Sequence, residues 1–252
     1  MWIRNWSRTE YPRIRLLCFP CAGGGIHVYR RWARRMPPDV GVCAVELPGH
    51  DSRLAEPPQT DLGSLLTGPL RPAVEALLDR PMAVFGHSMG AVLAADLCSE
   101  IGRDRGWHPA LFVAAGAETP DQMRVPYGPD STDQQILRYL DIMGGSAPQL
   151  LADDEYRQLL ISAVRADLTL IATRRPAPPS PLGCPLRVYA GEQDRSLSHG
   201  QAMAWKQLGT GDFAVRSFPG GHFFPSTAAD LVLEALVTDI GAAMDTARPG
   251  PS

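Results

Sequence analysis

Short apolar runs bounded by Gly and Pro alternate along this chain with longer amphipathic stretches. The runs cover residues 14–19, 40–47, 82–85, 111–115, 186–190 and 213–218. Nearly continuous apolar character over so short a length is the mark of a strand buried on both faces. Between the runs, helical patterns cover residues 29–36, 62–78, 91–101, 200–208 and 228–244. Strands alternating with helices in this way predict a mostly parallel sheet with helices on both faces, the α/β class.

One stretch breaks the rhythm. From about 118 to 181 there is no strand candidate, yet two helices are expected. The first covers 133–143, opened by Thr132 and Gln135 at capping-box spacing and ended by Gly144-Gly145. Ile136, Leu137, Leu140 and Met143 lie on one of its faces. The second covers 153–173, with Tyr156, Leu159, Leu160, Ala163, Val164, Leu168 and Ile171 as its apolar stripe. The Pro-rich run 176–181 then returns the chain to the sheet. A helical insertion between two core strands reads as a cap on one domain spanning 1–252, not as a second domain.

Composition narrows the function classes. A chain of 252 residues with 44% hydrophobic and 20% charged residues can bury a sizeable core. Its formal net charge of -3 gives no basic surface for nucleic acid. The N-terminus lacks the apolar run of a signal peptide, and no stretch approaches the ~20 apolar residues of a membrane span. A cytoplasmic protein is expected. The five cysteines, Cys18, Cys21, Cys43, Cys98 and Cys184, include one Cys-x-x-Cys pair and no second pair to complete a zinc site. Reduced thiols are expected, a redox role of Cys18 and Cys21 being the rival reading.

The chemistry centres on Gly86-His87-Ser88-Met89-Gly90, which follows a strand candidate and opens a helix. That is the context of a nucleophile elbow, whose tight turn needs small residues two positions either side of the nucleophile. Ser88 is the expected nucleophile. Of six histidines, His222 alone follows the last strand candidate in a Gly-rich loop, Pro219-Gly220-Gly221-His222, and precedes the final helix. It is the expected base. His87 should point away into the core, and His50, in Pro48-Gly49-His50, is open between substrate-side and structural roles. The acid should lie between serine and histidine in chain order. Asp194, just after the run 186–190, fits, with Glu192 the nearest competitor and Asp212 at the wrong edge of the sheet.

An acyl-transferring serine also needs two backbone N–H donors for the oxyanion, one from the residue after the nucleophile and one from the loop after the first core strand. Met89 supplies the first. The loop Pro20-Cys21-Ala22-Gly23-Gly24-Gly25 is suited to the second, through Ala22 with Cys21 and Gly23 as near alternatives. A phosphate-cradling use of this loop lacks the lysine and Ser/Thr it would need. Leu140, Met143, Leu160 and Val164 of the cap are expected to line an acyl pocket, unless those faces only pack against each other and the sheet. No metal or organic cofactor is called for.

Taken together, the chain resembles the type II (stand-alone, editing) thioesterases of polyketide synthase and nonribosomal peptide synthetase pathways, on the α/β-hydrolase fold. The resemblance rests on Phe19-Pro20-Cys21-Ala22-Gly23-Gly24, Pro48-Gly49-His50 with Arg53, Gly86-His87-Ser88-Met89-Gly90-Ala91, Met143-Gly144-Gly145 and Gly220-Gly221-His222-Phe223-Phe224, in the family's order along nearly the whole chain. Cys21 departs from it, since the family usually carries histidine before Ala-Gly-Gly. The resemblance implies hydrolysis of acyl thioesters on the phosphopantetheine arm of an acyl carrier protein or peptidyl carrier protein. Arg30, Arg31, Arg34 and Arg35 could steer an acidic carrier, or simply form a solvated face. The same triad on the same fold would serve a small-molecule carboxylesterase, and a silent binding module would not need it.

Overall fold

A computed structural model describes residues 1–125, 127–144, 152–175 and 181–246. Its centre is a seven-stranded sheet in the order β1-β3-β2-β4-β5-β6-β7. The strands are β1 (Ile3–Asn5), β2 (Ile14–Phe19), β3 (Val40–Val45), β4 (Met82–His87), β5 (Leu111–Ala115), β6 (Leu186–Gly191) and β7 (Phe213–Phe218). All neighbours pair in parallel except β1, which runs antiparallel to β3 at one edge. The α/β-hydrolase expectation therefore holds, and β1 is the strand the apolar pattern did not announce.

Alternation along the strands divides the core into two layers. Leu17, Phe19, Val84, Phe112 and Ala114 face one side of the sheet, and Leu16, Cys18, Phe85, Val113 and Ala115 face the other. The second side is covered by α1 (His27–Ala33) and, at the end of the chain, by a long helix at Ala229–Thr246. The first side is covered by α2 (Leu62–Leu65), α3 (Arg71–Glu75) and α4 (Met89–Arg105), with the cap helices beyond them. The single helix expected over 62–78 is broken in two by a wide turn at Leu66–Leu70. Gly68 there leaves helical geometry, and Pro69 has no N–H to continue the ladder.

The cap lies between β5 and β6, as expected. Its first helix, α5 (Asp133–Met143), starts with a full capping box. The Thr132 N–H donates to Gln135 Oε1 at 2.7 Å, and the Gln135 N–H donates to Thr132 Oγ1 at 3.3 Å. Gly144, at φ 71°, ends it, while Gly145 lies outside the described residues. The second, α6 (Asp154–Ala172), is capped by Asp153, whose Oδ1 accepts the Tyr156 N–H at 2.9 Å. Arg165 on α6 pairs with Asp133 on α5, and Arg174 beyond α6 pairs with Asp96 on α4 at 2.7 Å. The cap is thereby tied both to itself and to the body of the protein. The N-terminal part of the expected stripe on α6 is exposed, at Tyr156 and Leu159. The apolar face is buried only from Ile161 onward, where the helix reaches the core.

Three further α-helices follow among the described residues: α7 (His199–Ala204), α8 (Phe224–Thr227) and α9 (Ala229–Thr246). Asp239 of α9 is buried and joins the outer strands. It accepts from Arg187 Nε at 3.0 Å and Tyr189 Oη at 2.7 Å on β6, and from Arg216 Nε at 2.8 Å on β7. No helix among the described residues is long and apolar enough to cross a membrane.

Candidate active site

The site begins at the carboxyl end of β4, the central strand. Ser88 has φ 54° and ψ -120°, a backbone region that costs a non-glycine residue about 1–3 kcal/mol. The turn is held there by the Ser88 N–H, which donates to the Ala115 carbonyl at 2.8 Å. The two flanking glycines are required by space. A Cβ on Gly86 would stand 2.3 Å from Ala91 Cα, and one on Gly90 would stand 2.3 Å from the Phe19 carbonyl oxygen. Met89 is the first residue of α4, so its N–H has no carbonyl one turn back to bind.

Asp194 and His222 come from the loops after β6 and β7, at the same edge of the sheet. Those loops are laced together. The Gln193 N–H donates to the Gly220 carbonyl at 2.9 Å, and the Gly220 N–H donates to Gln193 Oε1 at 2.6 Å. His222 Nδ1 then lies 2.9 Å from Asp194 Oδ2, with both side chains buried. Asp194 Oδ1 is held in turn by Ser196, through its N–H at 2.9 Å and its Oγ–H at 2.6 Å. Burial alone would raise the Asp194 carboxyl. The hydrogen bonds and charge of His222 and the Ser196 bonds outweigh it and hold the group below its ordinary range. The competitor Glu192 is exposed, and Asp212 pairs with Arg187.

His87 takes the structural role expected of it. Its Nε2 lies 2.8 Å from the His222 carbonyl, and since a carbonyl only accepts, Nε2 carries the proton. Burial, reinforced by nearby His222, lowers its pKa to about 3, so the ring is neutral and its bond holds the His222 backbone in place. Ser196 is the participant that sequence reasoning missed. Its position two residues after the acid is a signal only in retrospect, because Asx-type bonds to the second following residue are common in turns.

The Gly-rich loop after β2 is less open than its composition suggests. The Gly23 N–H donates to Asp167 Oδ2 at 2.8 Å, and the Gly24 N–H donates to the Cys21 carbonyl at 2.9 Å. Gly23 is therefore withdrawn as an alternative donor, because its proton is already committed. Cys21 is buried, and burial with the nearby Asp167 charge pushes its thiol up to about 12. That is the environment of an inert structural thiol. Arg53, in the loop after β3, donates to the Glu46 carbonyl at 2.8 Å and stacks 4.2 Å from the Trp2 ring.

A cavity of about 230 Å³ opens over the site. Ser88, Met89, Gly116, Ser196 and His222 form its polar end, and Val125, Tyr127, Tyr139, Ile142, Met143, Leu168 and Ile171 its apolar wall. Of the four cap side chains expected there, Met143 alone lies on that wall. Leu140 and Val164 are buried in the main core instead, and Leu160 packs on that core beside Gly23. Helical periodicity identified which residues turn inward, but α5 and α6 each present that face to more than one neighbour. Arg30, Arg31, Arg34 and Arg35 are exposed, Arg35 pairing with Asp230.

The family model described as "Thioesterase domain" matches residues 14–243. The "Probable cadicidin biosynthesis thioesterase" of Streptomyces griseus is 33% identical over 254 residues, covering 100% of this chain and 68% of that protein. The solved structure of the type II thioesterase BorB from the borrelidin biosynthetic cluster superposes with a TM-score of 0.83 at 30% identity, covering 95% of this chain and 97% of the other. YbtT, a type II thioesterase from the yersiniabactin NRPS/PKS biosynthetic pathway, superposes with a TM-score of 0.82 at 25% identity, covering 96% and 99%.

Proposed function

The chain belongs to the Thioesterase domain family, and we propose that it hydrolyses acyl thioesters on the phosphopantetheine arm of carrier proteins, clearing aberrant or stalled acyl groups from polyketide or nonribosomal peptide assembly. The observation that carries this reading is likeness along nearly the whole chain to type II thioesterases of such pathways, joined to a cavity that holds Ser88 and His222 together. On this reading the enzyme works in the cytoplasm, beside its carrier proteins.

The chemistry follows from the groups in place. Asp194 and Ser196 occupy His222 Nδ1, which leaves Nε2 as the nitrogen available to Ser88. Ser88 Oγ attacks the thioester carbon as His222 takes its proton, and the N–H groups of Met89 and Ala22 receive the oxyanion. The C–S bond breaks, and the departing thiolate takes the proton from His222 and leaves as the free thiol, which returns the imidazole to its neutral, basic form. Water, giving a proton to His222, attacks the acyl-enzyme, and His222 passes that proton to Ser88 Oγ as the acyl–oxygen bond breaks and the free acid is released.

The test compares one acyl group on three leaving groups: a carrier thioester, a pantetheine thioester and a p-nitrophenyl ester. After correction for leaving-group reactivity, kcat/KM is expected to be highest for the carrier form, and excess unacylated carrier should inhibit. Good turnover of the activated ester with the carrier thioester ignored would make the protein a small-molecule esterase instead.

The cavity also sets an expected chain-length profile. At about 230 Å³ it falls below the roughly 300–1,000 Å³ of pockets for larger ligands. Short acyl groups should therefore be turned over best. Ile171→Ala, which removes wall volume, should raise kcat/KM for an octanoyl over an acetyl thioester by about 10-fold. Leu140→Ala should instead cost about 2–5 kcal/mol of stability and leave that ratio unchanged, because Leu140 packs in the core. Substrate-series kinetics separates the two variants by the length ratio, whereas both should melt lower, since Ile171 is buried in the same core.

A further inference from the structure

Two buried polar side chains take no part in the chemistry described above, and they face each other. Asp167 lies on α6 among the apolar residues Val164, Leu168 and Ile171, and its side chain is 3% exposed. A carboxylate there is tolerated only if its oxygens are bound. Its Oδ1 is 3.1 Å from Nε2 of His50, itself 7% exposed. Its Oδ2 accepts the Gly23 N–H at 2.8 Å. One cap side chain therefore joins the loop after β3 to the loop after β2.

The loop after β2 is restrained beyond Gly23 as well. At its far end the Ile26 N–H donates to Oδ2 of Asp51, the neighbour of His50, at 2.7 Å. Val164, one turn before Asp167, packs directly over the loop, since a Cβ on Gly23 would come within 2.3 Å of its Cγ2. The Gly23 N–H belongs to the peptide plane that follows Ala22. The Ala22 N–H lies in the preceding plane, whose Cys21 carbonyl accepts the Gly24 N–H at 2.9 Å, so holding the Gly23 N–H restrains the φ and ψ of Ala22 that set the two planes against each other. We infer that Asp167, held by His50, is a positioning residue that aims the Ala22 N–H at the oxyanion, so that the seated cap and the competent oxyanion hole are one structural unit.

Charge supports the arrangement. Burial pulls the His50 imidazole towards neutrality, but the hydrogen bond and charge of Asp167, with Asp51 and Glu46 further off, outweigh it and raise its pKa. His50 Nε2–H donating to the Asp167 carboxylate is a charge-assisted bond, stronger than one between neutral groups. This inference rests on the reading of Ser88 as nucleophile and Ala22 as donor. It does not depend on which leaving group the enzyme prefers.

The test uses the full chain with Asp167→Ala, Asp167→Asn and Asp167→Glu. Each variant is measured for kcat and KM on an acyl-pantetheine thioester, for melting, and for binding of an alkylboronic acid and of the free acid product. The boronate adds to Ser88 as a tetrahedral anion and so reports the oxyanion hole, whereas the product does not. Asp167→Ala should lower kcat and boronate affinity together by roughly 10²-fold, the scale of losing one oxyanion donor. KM and product affinity should stay within about threefold. Asp167→Asn keeps an acceptor for the Gly23 N–H and should recover most of the loss. Should the alanine variant fail to fold, Asp167→Glu serves in its place. It keeps the charge but pushes the loop, and a misplacement near 1 Å is worth a comparable loss.

Folded Ala or Glu variants with kcat and boronate affinity near wild type would overturn the inference. So would an equal loss of product and boronate binding, which would make the pair merely structural. Failure of the wider reading is seen earlier and elsewhere, as wild-type protein in which Ser88 takes no covalent label. If only the carrier preference fails, the same comparison is run on the ester that the wild type does hydrolyse.

Discussion

Ser88→Ala is expected to lower thioester turnover by on the order of 10⁴–10⁶-fold while leaving the fold intact. The loss should be this large because nothing nearby can replace the hydroxyl. Cys21 is buried with its thiol pushed up to about 12, so it offers no thiolate near neutral pH. The backbone at Ser88 is held by its own N–H to the Ala115 carbonyl and by the close approach around Gly86 and Gly90, none of which involves the side chain. Alanine at φ 54° bears the same strain as serine, so the melting temperature should move little. Residual activity of about 10³–10⁴-fold over water would come from the oxyanion donors and binding. Single-turnover kinetics and intact-mass analysis after fluorophosphonate treatment check both halves. A label that persists in the variant, or appears on Cys21, removes Ser88 from the role.

How far the sequence led depends on whether a feature is local. The inner parallel strands were legible because they are buried on both faces, Arg15 and Arg187 being single interruptions of otherwise apolar runs. The turn at Ser88 was legible because its steric demands fall on Gly86 and Gly90, two residues away. The edge strand Ile3–Asn5 was not, being too short to show a period. The break at Gly68 and Pro69 had a readable signal, the proline, but the apolar spacing of 62–78 ran through it. Most of the cap's inward residues were legible, Tyr156 and Leu159 being exposed instead, and their neighbours were not. Tyr127, from a stretch between elements, reaches the acyl cavity while Val164 of the expected set does not. Contact between Asp167 and His50 spans 117 residues of sequence. Its only trace in the chain is an aspartate interrupting an apolar stripe.

Asp194→Asn is expected to cost about 10⁴-fold in rate with little change in structure. Asparagine is nearly isosteric and could still fill the space between Ser196 and His222. An amide presents one oxygen and one NH₂ where the carboxylate presents two acceptors. Ser196 donates both its N–H and its Oγ–H to Oδ1, so the amide oxygen should settle there. The NH₂ would then face His222 Nδ1, 2.9 Å away in the native pair, and drive the imidazole proton to Nε2. A ring protonated at Nε2 cannot accept from Ser88. The neutral His87 offers no substitute, because its own Nε2 proton is donated to the His222 carbonyl. Ser196→Ala should be milder, roughly 10-fold or less, since Asp194 keeps its bond to His222 and loses one support.

A pH series gives an independent check on the same group. The folded pKa of Asp194 lies below its unfolded value of about 3.9. Its contribution to stability is therefore complete above that value and is lost as pH falls through the folded pKa. The stability gap between wild type and Asp194→Asn should be constant near neutral pH and close only below about pH 4. Near-normal turnover in Asp194→Asn, with the loss appearing in Glu192→Gln, would move the acid to Glu192. The exposure of Glu192 argues against that outcome.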